Sequence, residues 1–306
     1  MNAKSTYRVL LYYKYVKINN PEMYASKHLE FCKLLGVKGR ILIAAEGING
    51  TICGSVNQTR AYINAVQMDE RFSDMVFKID EADEPAFRKI FVRVRDEIVT
   101  LGLPKEEDIN PNELSGERLK PEEFMKHLEA DDAIIIDGRN NYEFDLGHFR
   151  GAIRPEVKSF KEFPGWLMQN LADKKDQKIL AYCTGGIRCE KLTGFLKRQG
   201  FKNVFQLDGG IVTYAKDPAV RGKYFDGKCY VFDARISVPV NTAEEYKPVS
   251  TCKHCGKPCD RYINCGNMEC NLQFFCCYEC EQKNFASCSK PCMNAEHHKL
   301  KVQNIG

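Results

Sequence analysis

The amino-acid sequence predicts a multidomain α/β protein. It places a ferredoxin-like βαββαβ unit first, a doubly wound parallel sheet in the middle and a small cysteine-rich module last. Three observations carry this expectation. A chain of 306 residues is too long for one small core and suits two or three domains. Short continuous apolar runs such as "AIIID" and "QKILAYC" alternate with helical segments, the pattern of strands buried on both faces. Ten of the 15 cysteines fall between Cys252 and Cys292, so the C-terminal part has a different character from the rest.

From the N-terminus, "TYRVLLYYKY" reads as a strand and "PEMYASKHLEFCKLLG" as a helix. Pro21 opens that helix and Gly36 stops it, the usual asymmetry of helix ends. "GRILIAAEGINGTICGSV" follows as two strands joined through "EGING". Asn57 is the expected cap of a second helix, "NQTRAYINAVQM", and "MVFKID" and "RKIFVRVRDEIVTLG" supply further strands. The order is that of a ferredoxin-like sandwich, assigned to residues 1–100. Residues 101–117 are rich in Pro, Gly, Asn and acids, the composition of a linker. In residues 118–222, "KPEEFMKHLEA" and "CEKLTGFLKRQG" are helices, the second with Leu192, Phe195 and Leu196 on one face and Gly200 as its stop. "AIIID", "QKILAYC" and "NVFQLDGG" are the strands of a parallel sheet. Residues 223–306 hold the strand-like "KCYVFDARISV", a polar spacer and the cysteine cluster.

The composition is that of an ordinary globular protein, 43% apolar and 28% charged. A net charge of +4 excludes a chain that is basic throughout but permits a local basic face. No stretch approaches the roughly 20 apolar residues of a membrane span, and the N-terminus does not read as a signal peptide. A cytoplasmic protein is expected. Disulfides are then disfavoured, and a dense local cysteine cluster points to metal.

The segment most informative about chemistry is "CTGGIRCEK", residues 183–191. Cys183 ends a predicted strand and a helix follows, the place where doubly wound sheets bind ligands. The backbone N–H groups of the loop Thr184, Gly185, Gly186, Ile187, Arg188 and Cys189 can converge on one concavity at a helix N-terminus. Gly185 and Gly186 allow backbone conformations that side chains forbid, and Arg188 adds positive charge. Each effect lowers a thiol pKa, so Cys183 is expected to be a reactive thiolate.

"CTGGIRC" resembles the active loop of rhodanese-like sulfurtransferases. "IIIDGRNNYEFDLGHFRGAI" (134–153), with its Asp-x-Arg and Gly-His-x-x-Gly-Ala elements, and "VFQLDGGIVTYAK" (204–216) resemble two further rhodanese segments in the same order. The middle domain is therefore expected to be a rhodanese domain. Together with "AAEGINGT" (44–51) and "FRKIFVRVRDEIV" (87–99), the motif "CTGGIRCEK" makes nearly the whole chain resemble the bacterial rhodanese-domain tRNA uridine hydroxylases. Many members have a shorter tail with only two Cys-x-x-Cys pairs. The resemblance implies an oxidoreductase that uses dioxygen to install 5-hydroxyuridine at the tRNA wobble position, with Cys183 catalytic. No haem, flavin or nicotinamide signature appears in the sequence, and the electron donor is not legible. The covalent route expected is addition of Cys183 to carbon six of the uracil, which activates carbon five; an oxidised or persulfide form of Cys183 is the other route.

Neighbouring residues divide between two roles. Cys189 either resolves an oxidised Cys183 or only fits the turn. Glu190 and Lys191 either orient substrate or lie on a helix surface. Arg139 either contacts substrate or pairs with a carboxylate, and His148 is expected to satisfy a turn. In "RKIFVRVRDE", Ile90, Val92 and Val94 alternate with Lys89, Phe91, Arg93 and Arg95, giving an apolar face and a basic face with one aromatic. Under the resemblance, the basic face would meet the anticodon region of tRNA.

In the tail, Cys252/Cys255 and Cys277/Cys280 are Cys-x-x-Cys pairs, and Cys265/Cys270 and Cys288/Cys292 are wider ones. Two interleaved structural zinc sites are expected, 252/255 with 277/280 and 265/270 with 288/292, leaving Cys259 and Cys276 over. Two rival functions remain open: a rhodanese-type sulfurtransferase or persulfide carrier, and a non-enzymatic RNA-binding redox sensor.

Overall fold

The computed structural model describes residues 6–299. Its first unit runs β1 (Tyr7–Tyr15), α1 (Pro21–Leu35), β2 (Lys38–Ala44), β3 (Gly47–Ser55), α2 (Val56–Gln67), β4 (Lys78–Ala82) and β5 (Ile90–Val94). The sheet order is β4-β1-β3-β2-β5, with β5 parallel to β2. The first four strands make the expected ferredoxin-like arrangement, and β5 extends it by one edge strand. Leu10 and Tyr12 of β1, Ile41 and Ile43 of β2 and Ile52 of β3 point to the helices and form the core with Tyr62. Helix α1 begins at Pro21 under an Asn20 cap and ends at left-handed Gly36, as read from the sequence. Helix α2 does not begin under Asn57. Ser55 caps it: Ser55 Oγ accepts from Gln58 N, and the Gln58 side chain accepts from Ser55 N at 2.8 Å. This capping box satisfies two backbone donors, which Asn57, already the second residue inside the helix, cannot do. The strand expected over 88–102 is confined to β5, because the chain leaves the sheet edge after Val94.

The central unit runs β6 (Glu117–Leu119), α3 (Pro121–Ala130), β7 (Ile134–Asp137), α4 (Asn141–Phe144), β8 (Gly147–Phe149), α5 (Phe163–Leu171), β9 (Lys178–Tyr182), α6 (Ile187–Arg198), β10 (Asn203–Leu207) and α7 (Gly210–Lys216). Strands β6-β10-β9-β7 form a parallel sheet in that order. Residues 101–117 are more than a tether: Leu101 and Ile109 enter the core beside Ile136 and Phe163, and Glu117 opens β6. Apolar anchors of this kind are invisible to a composition argument, which sees only the Pro, Gly and acids around them.

The last part contains β11 (Phe225–Tyr230), β12 (Ser237–Pro239), β13 (Tyr262–Asn264), β14 (Gln273–Phe275), α8 (Tyr278–Lys283) and α9 (Lys290–Met293). The run "KCYVFDARISV" is therefore two strands, and β11 joins β8 as well as β12. Strands β13 and β14 pair antiparallel, and the buried residues around them are mostly cysteines. Among the described residues, no helix is long and apolar enough to cross a membrane.

Candidate active site and metal centres

Strand β9 carries Cys183 to the carboxyl edge of the parallel sheet, and the loop 184–186 turns directly into α6. Gly186 has φ +101° and caps the helix, a conformation that L side chains rarely adopt. Its N–H donates to Cys183 Sγ at 3.2 Å. A second turn braces the loop from β10–α7: Ile211 N donates to Cys183 O at 3.0 Å and Val212 N to Thr184 O at 3.1 Å. Gly210 is needed there, because a Cβ would lie 2.5 Å from Cys183 O.

Cys183 is fully buried, and burial alone would push its thiol up. The Cys189 thiol hydrogen-bonded to it, the Arg188 charge and the N–H groups of Cys189 and Gly186 outweigh burial and bring it down to about 6. Cys189 moves the other way. Burial and the adjacent Cys183 hold it well above the usual cysteine range, so it stays a protonated donor. Arg188 does not reach into the loop's concavity. It is held bidentately by the buried Glu143, with N–O distances of 2.7 and 2.8 Å, and it also meets Thr184. Glu143 has no sequence signal of its own beyond lying in "NNYEFD".

Arg139 is wholly enclosed. It pairs with Asp137 through Nε and Nη2 and donates to Gly147 O at 2.6 Å, while Tyr182 Oη donates to Asp137. It ties three elements of the central unit together and does not face an open surface. His148 stacks on Phe144 and hydrogen-bonds to Phe144 O, closing its own turn.

Glu190 and Lys191 are not on a helix surface. Both are buried where the first unit meets the second. Glu190 accepts from Tyr13 Oη, Arg118 and Ser115 at 2.8–3.0 Å and from Gln206 at 3.0 Å. Lys191 binds three carboxylates, Glu46, Glu97 and Asp108, at 2.7–3.0 Å. Adjacent residues of one helix therefore clamp the ferredoxin-like sheet over the rhodanese-like loop. Leu11 and Tyr13 of β1 press on that loop: a Cβ at Gly185 would lie 2.8 Å from Leu11, and one at Gly186 2.9 Å from Tyr13 Oη. The two glycines thus serve a close approach as well as a turn. Lys78 of β4 completes the cover. Its Nζ lies 5.1 Å from the Tyr13 ring centre, and burial lowers it while the Cys183 and Asp208 charges raise it. Tyr13 and Lys78 were not legible in sequence, since no motif spans β1, β4 and the loop.

One row of side chains links this cover to the sheet edge. Pairing across the strands runs Phe91, Arg40, Thr51, Leu11, Lys78. Ile90, Val92 and Val94 pack inward, while Phe91 and Arg93 stand exposed on β5 with Lys89 and Arg95 beside them. The Arg93 guanidinium lies 5.2 Å from the Phe91 ring centre. Phe91 is three strand spacings, about 14 Å, from the strand that covers Cys183.

In the tail, the Sγ atoms of Cys252, Cys255, Cys277 and Cys280 lie within 4.8 Å of one another, as do those of Cys265, Cys270, Cys288 and Cys292. Sulfur–sulfur distances of 3.6–3.8 Å match the edge of a tetrahedron with metal–sulfur bonds of about 2.3 Å. The donor set fits zinc, and both groups could hold a metal ion in the pairing expected from the spacing. Cys259 and Cys276 stand outside both sets.

The fold and loop define a rhodanese-type cysteine-loop protein whose loop is covered by an acylphosphatase-like sheet. Family profiles agree: a UPF0176 acylphosphatase like domain matches residues 7–98, a rhodanese-like domain 120–217 and a rhodanase C-terminal domain 226–293. Among curated relatives, a tRNA uridine(34) hydroxylase of Bacillus licheniformis is 57% identical over 94% of this chain and 89% of its own length. Those of Bacillus mycoides and Bacillus velezensis are 53% and 54% identical, over 99% and 95% of this chain and 94% and 90% of their own lengths. The chain belongs to the tRNA uridine(34) hydroxylase family.

Proposed function

We propose that this chain hydroxylates carbon five of the tRNA wobble uridine in an oxygen-dependent reaction in the cytoplasm, with Cys183 as the nucleophile. The observation that carries the reading is the Cys183 thiol, brought down to about 6 under a Gly186 N–H, in a chain so close to proteins named for that reaction. At neutral pH the thiolate adds to carbon six of the uracil, and the displaced electron pair makes carbon five nucleophilic. Carbon five takes one oxygen atom of dioxygen. The other leaves as water, with two electrons and two protons from an external donor. Loss of the carbon-five proton and departure of the Cys183 sulfur restore the ring. Cys189 keeps the sulfur ionised between cycles. Lys89, Arg93 and Arg95 neutralise phosphates, and Phe91 stacks on a base of the anticodon region. Each four-cysteine set holds a structural zinc ion, which cross-links the tail and leaves no open position for chemistry.

The test is accurate-mass analysis of wobble nucleosides in tRNA from a deletion strain carrying either the native gene or Cys183→Ala. An added oxygen restored by the native gene alone supports the proposal. Sulfur in its place identifies a persulfide carrier, and equal restoration by both genes removes Cys183 from the chemistry.

A further inference from the structure

Three cavities of about 390, 650 and 960 Å³ run side by side along one surface. The first two share Arg40 and Phe91, and the second and third share Ile236 and Asn264, so they form one groove. Its two walls come from distant parts of the chain and differ in chemistry. The β2–β5 wall supplies Arg40, Arg88, Lys89, Arg93 and Arg95, and among the described residues none of these is in an ion pair. On the opposite wall Lys228, Arg235 and Arg261 are paired with Asp260, Asp233 and Glu281. That wall contributes rings instead. Phe232 is 49% exposed and Tyr278 70% exposed, the latter beneath the Arg261 guanidinium at 4.0 Å.

Side-chain contacts connect the groove to the residues that brace the Cys183 loop. Tyr230 lines its middle cavity and lies 5.4 Å from Tyr142, the neighbour of the Arg188 partner Glu143. In the other direction Tyr230 lies 6.1 Å from Tyr262, beside the cysteine sets. Nine lysines and arginines line the groove against three carboxylates, so this surface is far more basic than a chain of net charge +4. In the middle cavity free cations face the exposed Phe232 ring, and Tyr278 extends the ring-bearing wall into the adjoining cavity; such a surface suits a single strand of nucleic acid, whose phosphates lie on one side and bases on the other.

We infer that the C-terminal module forms the base-stacking wall of the RNA groove, with Phe232 opposite a phosphate-binding wall on β2 and β5 and Tyr278 as the next stacking residue along the groove. This rests on the tRNA reading above and assigns the module a part in substrate binding in addition to its structural role.

The experiment measures binding of a labelled anticodon stem-loop RNA with a wobble uridine to full-length, zinc-loaded protein across a salt series. Phe232→Ala and Tyr278→Ala should each weaken binding about ten-fold, from the loss of one stacked base, with an unchanged salt slope. Arg93→Gln with Arg95→Gln should flatten that slope. Zinc content and the rate of Cys183 alkylation, both expected to equal native, show that each variant is folded. If the two ring variants bind like native while the arginine variant does not, the inference falls and the tRNA reading stands. If the native protein binds the stem-loop no better than an RNA duplex and leaves its uridine unmodified, the tRNA reading falls and the inference with it.

Discussion

Cys189 tests how the loop makes a thiolate. Its hydrogen bond is the largest of the influences that lower Cys183, ahead of Arg188 and the backbone N–H groups. A hydrogen bond to a charged group contributes about 1.5–3 kcal/mol, and about 1.4 kcal/mol moves a pKa by one unit. Cys189→Ala should therefore raise Cys183 by about one to two units from its value of about 6. At pH 7 the thiolate fraction then falls from about nine-tenths to between about a half and a tenth. Cys189→Ser keeps an O–H donor and should titrate near native. The assay is the pH dependence of Cys183 alkylation by iodoacetamide, read by mass spectrometry of its peptide. Opening of the buried loop sets the absolute rate, so the midpoint is the quantity to compare. An alanine variant with the native midpoint, or a native midpoint near the ordinary value of 9.0, would refute the account.

The same shift links pH to stability. Because the folded value lies below the unfolded one, the thiolate stabilises fully above pH 9 and the effect is lost as pH falls through 6; thermal melts of native protein should show this gain and those of Cys183→Ala should not. Lys191→Met leaves Glu46, Glu97 and Asp108 facing one another without a cation. It should cost about 3–5 kcal/mol in denaturant unfolding and speed proteolysis between the first two units. Gly186→Ala meets Tyr13 Oη at a positive φ and should abolish restoration of the modified nucleoside, while the fold persists by circular dichroism. Metal analysis should find two zinc ions per chain, one for each cysteine set. Cys255→Ser and Cys270→Ser should each lose one, and Cys259→Ser and Cys276→Ser none.

The features legible in advance were those whose geometry is set by near neighbours. The Cys183 loop, the close cysteine pairs within each set and the inside–outside alternation of β5 all follow from residues a few positions apart. The Ser55–Gln58 capping box was equally local, and a serine three residues before a glutamine was a signal that Asn57 obscured. The edge strand β6 and the anchors Leu101 and Ile109 were hidden because their neighbours are the residues of a linker. What buries them is a sheet completed elsewhere in the chain.

Sequence alone thus singled out Cys183 as a thiol held beside backbone N–H groups, because a cysteine at a strand end followed by two glycines and an arginine meets those of its own loop. It also grouped the eight cysteines that the fold brings together in two sets of four, each of which could hold a metal ion. Only the folded chain decided what covers the thiol. Tyr13 meets Glu190 across 177 positions, Lys191 gathers carboxylates from three separate segments, and Lys78 reaches the loop from another unit. The groove from Phe91 to Tyr278 likewise joins walls nearly two hundred residues apart. Such contacts depend on how two sheets are stacked, and no periodicity or spacing within either one encodes the residue that will face it.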